Sequence, residues 1–214
     1  MQELVLSGRG LEAVPADAWR QAGLRMLDLG HNRLTAVPEE IGSLRELETL
    51  YLHDNRLAEL PAALFELGRL RFLTAGANEL TALPPEVERL GGLTELGLAG
   101  NRLAALPDAI GRLGRLRELD LRGNALTALP DAIGDLAALR LLNLRENRLT
   151  ELPDALGRLH ALRRLDLRAN RLRAVPDAVG RLPGLEKLDL RWNPLDAPPP
   201  FAAELERRGC VVRL

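Results

Sequence analysis

The chain has 214 residues, with 29 basic and 30 acidic side chains for a formal net charge of −1, and is 46 % hydrophobic but only 3 % aromatic. This balance excludes a disordered chain and leaves no basic surplus of the kind nucleic acid attracts. No apolar run nears the roughly 18 residues of a spanning helix, and the opening MQELVLSGRG does not read as a secretory signal, so no membrane partner is expected.

Leucine supplies 51 of the residues, and its spacing is regular. Asn32, Asn55, Asn78, Asn101, Asn124, Asn147, Asn170 and Asn193 stand 23 residues apart, and prolines from Pro15 to Pro199 keep the same interval. Nine such units fill residues 1–207. A unit this short cannot close a core alone, so its neighbours must supply the missing side by stacking.

In the unit LRELDLRGNALTALPDAIGDLAA (116–138), Leu119 and Leu121 alternate around Asp120, which predicts a short strand with both leucines on one side. About 18 residues separate consecutive strands, which requires parallel pairing rather than hairpins. Asn124 turns the chain away, and its amide can satisfy loop backbone groups of neighbouring units. Pro130 then fixes φ. The segment after it predicts one helical turn, with an acid suited to a helix start at Asp108, Asp131, Asp154 and Asp177. Leu126, Leu129, Ile133 and Leu136 are expected to meet Leu116, Leu119 and Leu121 in the core.

Along the chain, residues 1–23 read as an amino-terminal capping repeat, with Arg9 in place of the asparagine and Trp19 and Gln21 in the return segment. Residues 24–198 are regular, apart from Ala75 in place of a strand leucine and Pro198 in place of a loop leucine. Residues 199–214 read as a carboxy-terminal cap: a helix from about Phe201 to Arg208, then an edge strand. Trp192 is expected to pack against that cap. Cys210, the only cysteine, reads as a small buried apolar residue within it, and its solitude excludes a disulfide framework and favours a reducing, cytoplasmic compartment. The whole, 1–214, is expected to form one domain.

The 23-residue unit with its L-x-x-L-x-L-x-x-N core and L-P-x-x-I-G-x-L return resembles the leucine-rich repeat proteins, and is similar to their intracellular and bacterial type, which includes the Ras-group relatives. The resemblance implies an α/β fold: a right-handed solenoid, horseshoe or arc, with a concave parallel sheet and short helical or 3-10 turns outside. It also implies a macromolecular partner on the concave face and no enzymatic activity in the repeats.

The exposed strand positions form columns on that face. The column between the leucines runs Asp28, Tyr51, Thr74, Gly97, Asp120, Asn143, Asp166, Asp189; the one after them includes His53, Arg122, Arg145, Arg168 and Arg191; the one before them includes Met26, Phe72, Leu141, Arg164 and Lys187. Residues 1–107 hold 10 basic and 15 acidic side chains (net −5) and residues 108–214 hold 19 and 15 (net +4), so the molecule is electrically polar along its length. The Arg–Asp ladders are simplest read as neutralising one another. Arg164, Lys187, Arg148 and Arg171 add cations with no matching acid in the columns, which suits an acidic or phosphorylated partner. Tyr51 and Phe72 suit a contact site because aromatics concentrate binding energy.

The expected partner-binding residues are therefore Tyr51, His53, Phe72, Thr74, Arg122, Arg145, Arg168 and Arg191. His31, His53, Asp28 and Asp54 can approach one another across two units, but no Cys and no H-x-x-x-H spacing supports a metal there, and neither metal nor cofactor is expected. His160 reads as plain convex surface. No catalytic motif appears. The expected function is a protein-interaction scaffold, monomeric and cytoplasmic, with a protein partner. Alternatives are a regulator of a small GTPase or signalling enzyme, a bacterial effector, and a designed array; 28 arginines against one lysine point to a GC-rich, bacterial origin.

Overall fold

The computed structural model describes residues 2–21 and 23–214. Ten strands form one sheet in chain order, every neighbouring pair parallel. They are β1 (Gln2–Val5), β2 (Leu24–Asp28), β3 (Thr49–Tyr51), β4 (Phe72–Thr74), β5 (Glu95–Gly97), β6 (Glu118–Asp120), β7 (Leu141–Asn143), β8 (Arg164–Asp166), β9 (Lys187–Asp189) and β10 (Val211–Arg213). The register repeats without slippage from β2 to β9, so Leu27, Leu50, Leu73, Leu96, Leu119, Leu142, Leu165 and Leu188 lie side by side. One right-handed solenoid results.

The core runs the length of the solenoid, with Leu116, Leu119, Leu121, Leu126, Ile133 and Leu136 all fully buried. Each such leucine contributes roughly 1.5–3 kcal/mol before chain entropy is subtracted. Ala75 is fully buried in its leucine column.

The asparagines link each unit to the one before. Asn124 donates from Nδ2 to the Leu98 carbonyl of the preceding unit at 3.0 Å and to its own unit's Leu121 carbonyl at 2.9 Å, while its Oδ1 accepts from the Leu103 amide at 3.0 Å. The same triplet recurs from Asn32 to Asn193. Just before each asparagine, and before Arg9 at the equivalent place, the chain turns through positive φ, at Gly8 (+69°), His31 (+54°), Asp54 (+56°), Ala77 (+52°), Gly100 and Gly123 (+67° each), Glu146 (+58°), Ala169 (+53°) and Trp192 (+62°). Six of these nine residues carry a Cβ, so backbone strain is accepted wherever the turn is required.

The convex side is made of seven 3-10 turns followed by a short α-helix, α1 (Asp177–Gly180). Each turn starts immediately after a proline, whose carbonyl accepts the third following amide, as Pro130 does from Ile133 at 3.0 Å. At positions 42, 111, 134 and 157 a glycine stands in the turn where the next unit's alanine presses on it. A Cβ on Gly134 would lie 2.3 Å from the Ala155 carbonyl oxygen, and one on Gly111 would lie 2.5 Å from that of Ala132. After β9 the chain forms α2 (Ala202–Arg207) and β10, close to the expected helix and strand. Phe201 packs against Gly180, where a Cβ would sit 2.4 Å from its ring, and Arg208 donates to the carbonyls of Gly180 and Leu182 at 3.1 and 2.6 Å. Cys210 is buried, and that burial pushes its thiol up.

Candidate interaction face

The three columns stand on the open face of the sheet, in the order the sequence implies. At the β3–β4 end, Phe72 is 40 % exposed while Tyr51, His53 and Thr74 are half-buried. Tyr51 and Phe72 are not opposed directly, because Tyr51 pairs with Thr74 and Phe72 with Thr49. Tyr51 instead stands edge-on to His53, ring centres 6.1 Å apart. His53 lies over Gly30, where a Cβ would come within 2.5 Å of the ring. His31 reaches the same spot from the neighbouring turn: its Nδ1 is 2.7 Å from Asp54 Oδ2 and its Nε2 is 3.2 Å from Nε2 of His53. Asp28 is not part of this group, since its carboxylate accepts from the Gly30 amide at 2.8 Å.

The opposite end is closed electrostatically. Asp189, 0 % exposed, accepts from Arg191 Nε at 2.9 Å and NH2 at 2.8 Å, with Arg168 Nε 3.6 Å away. Arg168 also holds Asp166, its Nε lying 2.9 and 3.0 Å from the two carboxylate oxygens. Burial alone would push the Asp189 carboxyl up, but the hydrogen bonds of Arg191 and the charges of both arginines overcome it and hold the group below the ordinary carboxylate range. Hydrogen bonding to Asp166 and to Asp189 respectively raises Arg168 and Arg191. The Arg168–Asp166 and Arg191–Asp189 rungs therefore neutralise themselves.

The middle differs from both ends. Arg122 is exposed and, among the described residues, has no acidic side chain within ion-pair distance. Arg145 is half-buried and pairs with Glu146, its sequence neighbour, at 2.6 Å. Its Nε and the Thr74 hydroxyl are the two buried side-chain polar atoms without a partner among the described residues. A shallow depression of about 110 Å3 lies over β7 to β9, lined by Leu141, Leu142, Asn143, Arg164, Asp166 and Lys187. Glu95 is pushed up, first by burial and then by the Glu118 carboxylate on the next strand.

The structure overturns one expectation. Trp192 does not pack against the terminal segment; it is 64 % exposed, with the Arg191 guanidinium 5.2 Å from its ring centre. The cause is its positive φ, since it occupies the turn position from which His31 and Asp54 also leave the body of the sheet. Only its place directly before Asn193 signals this in the sequence.

Models of leucine-rich repeat families match residues 16–100, described as a leucine-rich repeat region, and residues 91–149 and 142–195, described as leucine rich repeat. Together they run through most of the chain. It is a leucine-rich repeat protein. Among solved structures, an internalin from Listeria monocytogenes aligns over 100 % of this chain and 60 % of its own at 22 % identity and a TM-score of 0.85, a likeness of fold. The leucine-rich repeat ectodomain of the Arabidopsis thaliana receptor kinase GASSHO1/SCHENGEN3, solved with CASPARIAN STRIP INTEGRITY FACTOR 2, aligns at 33 % identity and a TM-score of 0.73 over 91 % of this chain and 27 % of its own. The plant peptide hormone receptor RGFR1, solved with RGF2, aligns at 25 % identity and 0.73 over 88 % and 35 %. This chain thus spans 60 % of the length of the internalin and about a third or less of the two plant receptors. No curated protein matches the chain. Leucine-rich repeat scaffolds are in general protein-interaction modules, and no helix among this protein's described residues is long and apolar enough to cross a membrane.

Proposed function

We propose that this leucine-rich repeat protein is a non-enzymatic binding module whose open sheet face takes an extended segment of a protein partner. The observation that carries this reading is the set of cations on that face that no acidic side chain engages among the described residues: Arg122 and Arg164 are exposed, and Arg164 and Lys187 line a depression over β7 to β9. Arg122, Arg164 and Lys187 favour an acidic or phosphorylated segment, while Tyr51, His53 and Phe72 form its apolar contact. Arg168 and Arg191 serve by shape and field, because their guanidinium groups are already engaged.

A small GTPase as the partner, a signalling role and a bacterial, cytoplasmic setting rest on the likeness of the repeat to Ras-group and bacterial relatives and on the single buried cysteine. Residues 1–23 and 199–214 are read as the caps of one domain. The test is capture from the native host followed by mass spectrometry. Tyr51→Ala with Phe72→Ala, and Arg122→Glu with Arg145→Glu, are each expected to reduce recovery of the same partner at least tenfold. Wild-type recovery by both double variants would place the site elsewhere.

A further inference from the structure

We propose that His31 and His53 form a two-histidine site for a borderline divalent transition-metal ion, with Asp54 orienting His31 from behind. The ligand chemistry is neutral imidazole, which suits Cu2+, Ni2+ and Zn2+. The separation of the two Nε2 atoms, 3.2 Å, is the first observation. With metal–nitrogen bonds of about 2.0–2.1 Å, two nitrogens of one tetrahedral shell stand roughly 3.3 Å apart and two cis nitrogens of a square-planar shell roughly 2.9 Å. The observed spacing lies between those values, so the separation of the two nitrogens meets the distance that one ion requires.

Each ring is also held in place. The Asp54 carboxylate, 2.7 Å from Nδ1 of His31, fixes the proton on that nitrogen and turns the Nε2 lone pair outward. Metal-bound histidines characteristically have such a carboxylate behind them. His53 rests on Gly30, where only a missing Cβ leaves room, and stands edge-on to Tyr51. His31 is aimed by its positive φ of +54°. In the metal-free form one Nε2 donates to the other. Metal entry requires only that His53 carry its proton on Nδ1 instead, a tautomer change at a ring edge open to solvent. The pattern spans two units, at a spacing of 22 rather than 23 residues, so it matches no local metal motif. Two protein ligands leave the remaining positions to water.

The test is titration of tag-free protein with Cu2+, and separately Zn2+, followed by calorimetry and, for Cu2+, electron paramagnetic resonance. One ion per chain is expected, Cu2+ tighter than Zn2+, with nitrogen hyperfine structure from two imidazoles. His31→Ala and His53→Ala should each abolish this event, Asp54→Asn should weaken it about 10–100-fold, and His160→Ala should leave it unchanged. Saturable binding that persists in either His31→Ala or His53→Ala, or that His160→Ala removes, overturns the proposal; an unaltered Asp54→Asn affinity overturns the role of Asp54. Because the probe is the metal alone, the result is independent of whether the sheet face binds a protein.

Discussion

The two ends of the sheet are built on the same backbone and spend their polar groups differently. Around β8 and β9, arginines two residues after the aspartates fold back onto them, and Asp189 is sealed from solvent under two guanidinium groups. Around β2 and β3 the polar groups make an open chain, Asp54 to His31 to His53, that ends at solvent. Repeat position therefore sets where a side chain stands, while the identity of its neighbours decides whether it is consumed internally or remains available. The carboxy-terminal end is structural charge; the amino-terminal end and the middle keep reactive surface.

The largest expected effect tests whether the interior of the solenoid is stricter than its end. Asn124→Ala removes three buried hydrogen bonds at once: the Leu98 and Leu121 carbonyls each keep one bond, from Asn101 and Asn147, but the Leu103 amide is left buried and unpaired. With about 0.5–1.5 kcal/mol for each of the two bonds and about 1–3 for the amide, a loss of about 3–5 kcal/mol is expected. Asn193 makes the equivalent bonds but is half-buried, and water can replace them. Asn193→Ala should cost less than half as much. Urea denaturation of the two variants decides, and equal losses would mean that the ladder is uniform.

The next test sets the closed end against the open one. Replacing Arg168 and Arg191 together by Ala removes both cations from Asp189 and opens its carboxylate to water, leaving the backbone amide of residue 191 as its partner, so a loss of about 1–3 kcal/mol is expected. His31→Ala at the open end should change stability by no more than about 0.5 kcal/mol. The acid dependence has a definite sign. The Asp189 carboxyl is depressed in the folded state, so its contribution is fully present above the unfolded value near 3.9 and is lost as pH falls through the lower folded value. Asp189→Asn should flatten the stability profile below about pH 4, which denaturation midpoints at successive pH values will show.

The periodic part of all this was legible in the sequence. Strand register, the inward leucines, the asparagine ladder and the three columns follow from a 23-residue period and the two-residue alternation of a strand. The ion pairing was only partly legible. Mutual neutralisation of Arg168 and Asp166 follows from their columns, but the choice of Glu146 by Arg145 depends on a turn residue outside them. The exposure of Trp192 and the approach of His31 to His53 have the same origin, because both involve the positive-φ position, whose side chain leaves along a direction that hydrophobic periodicity does not encode. Thr74 looked like one polar residue among many; its unpartnered hydroxyl emerges only once the neighbouring strands are in place.

The convex side allows a milder test. Gly134, in the second half, would place a Cβ against the Ala155 backbone, and since backbone cannot swing aside, Gly134→Ala should cost about 1–3 kcal/mol. Gly68, in the first half, has nothing within 4 Å of its would-be Cβ and no positive φ, so Gly68→Ala should gain about 0.4–1 kcal/mol by restricting the unfolded chain. Thermal unfolding of the pair measures whether neighbouring turns press together only where alanine meets glycine.

The smallest effect concerns the turn column, where glycine and Cβ-bearing residues share one backbone conformation in both halves. Gly123 sits at φ +67° without strain, whereas Ala77 sits at +52° with a Cβ that crowds its own carbonyl. Gly123→Ala should destabilise by about 1 kcal/mol, and Ala77→Gly should recover somewhat less, because glycine also loosens the unfolded chain. A gain from Ala77→Gly shows that the strain is real and is borne by the hydrogen bonds of Asn78 one residue on. If Ala77→Gly is instead destabilising, the alanine Cβ earns its place by contact, and the strained column belongs to the packing of the rim rather than to the geometry of the turn.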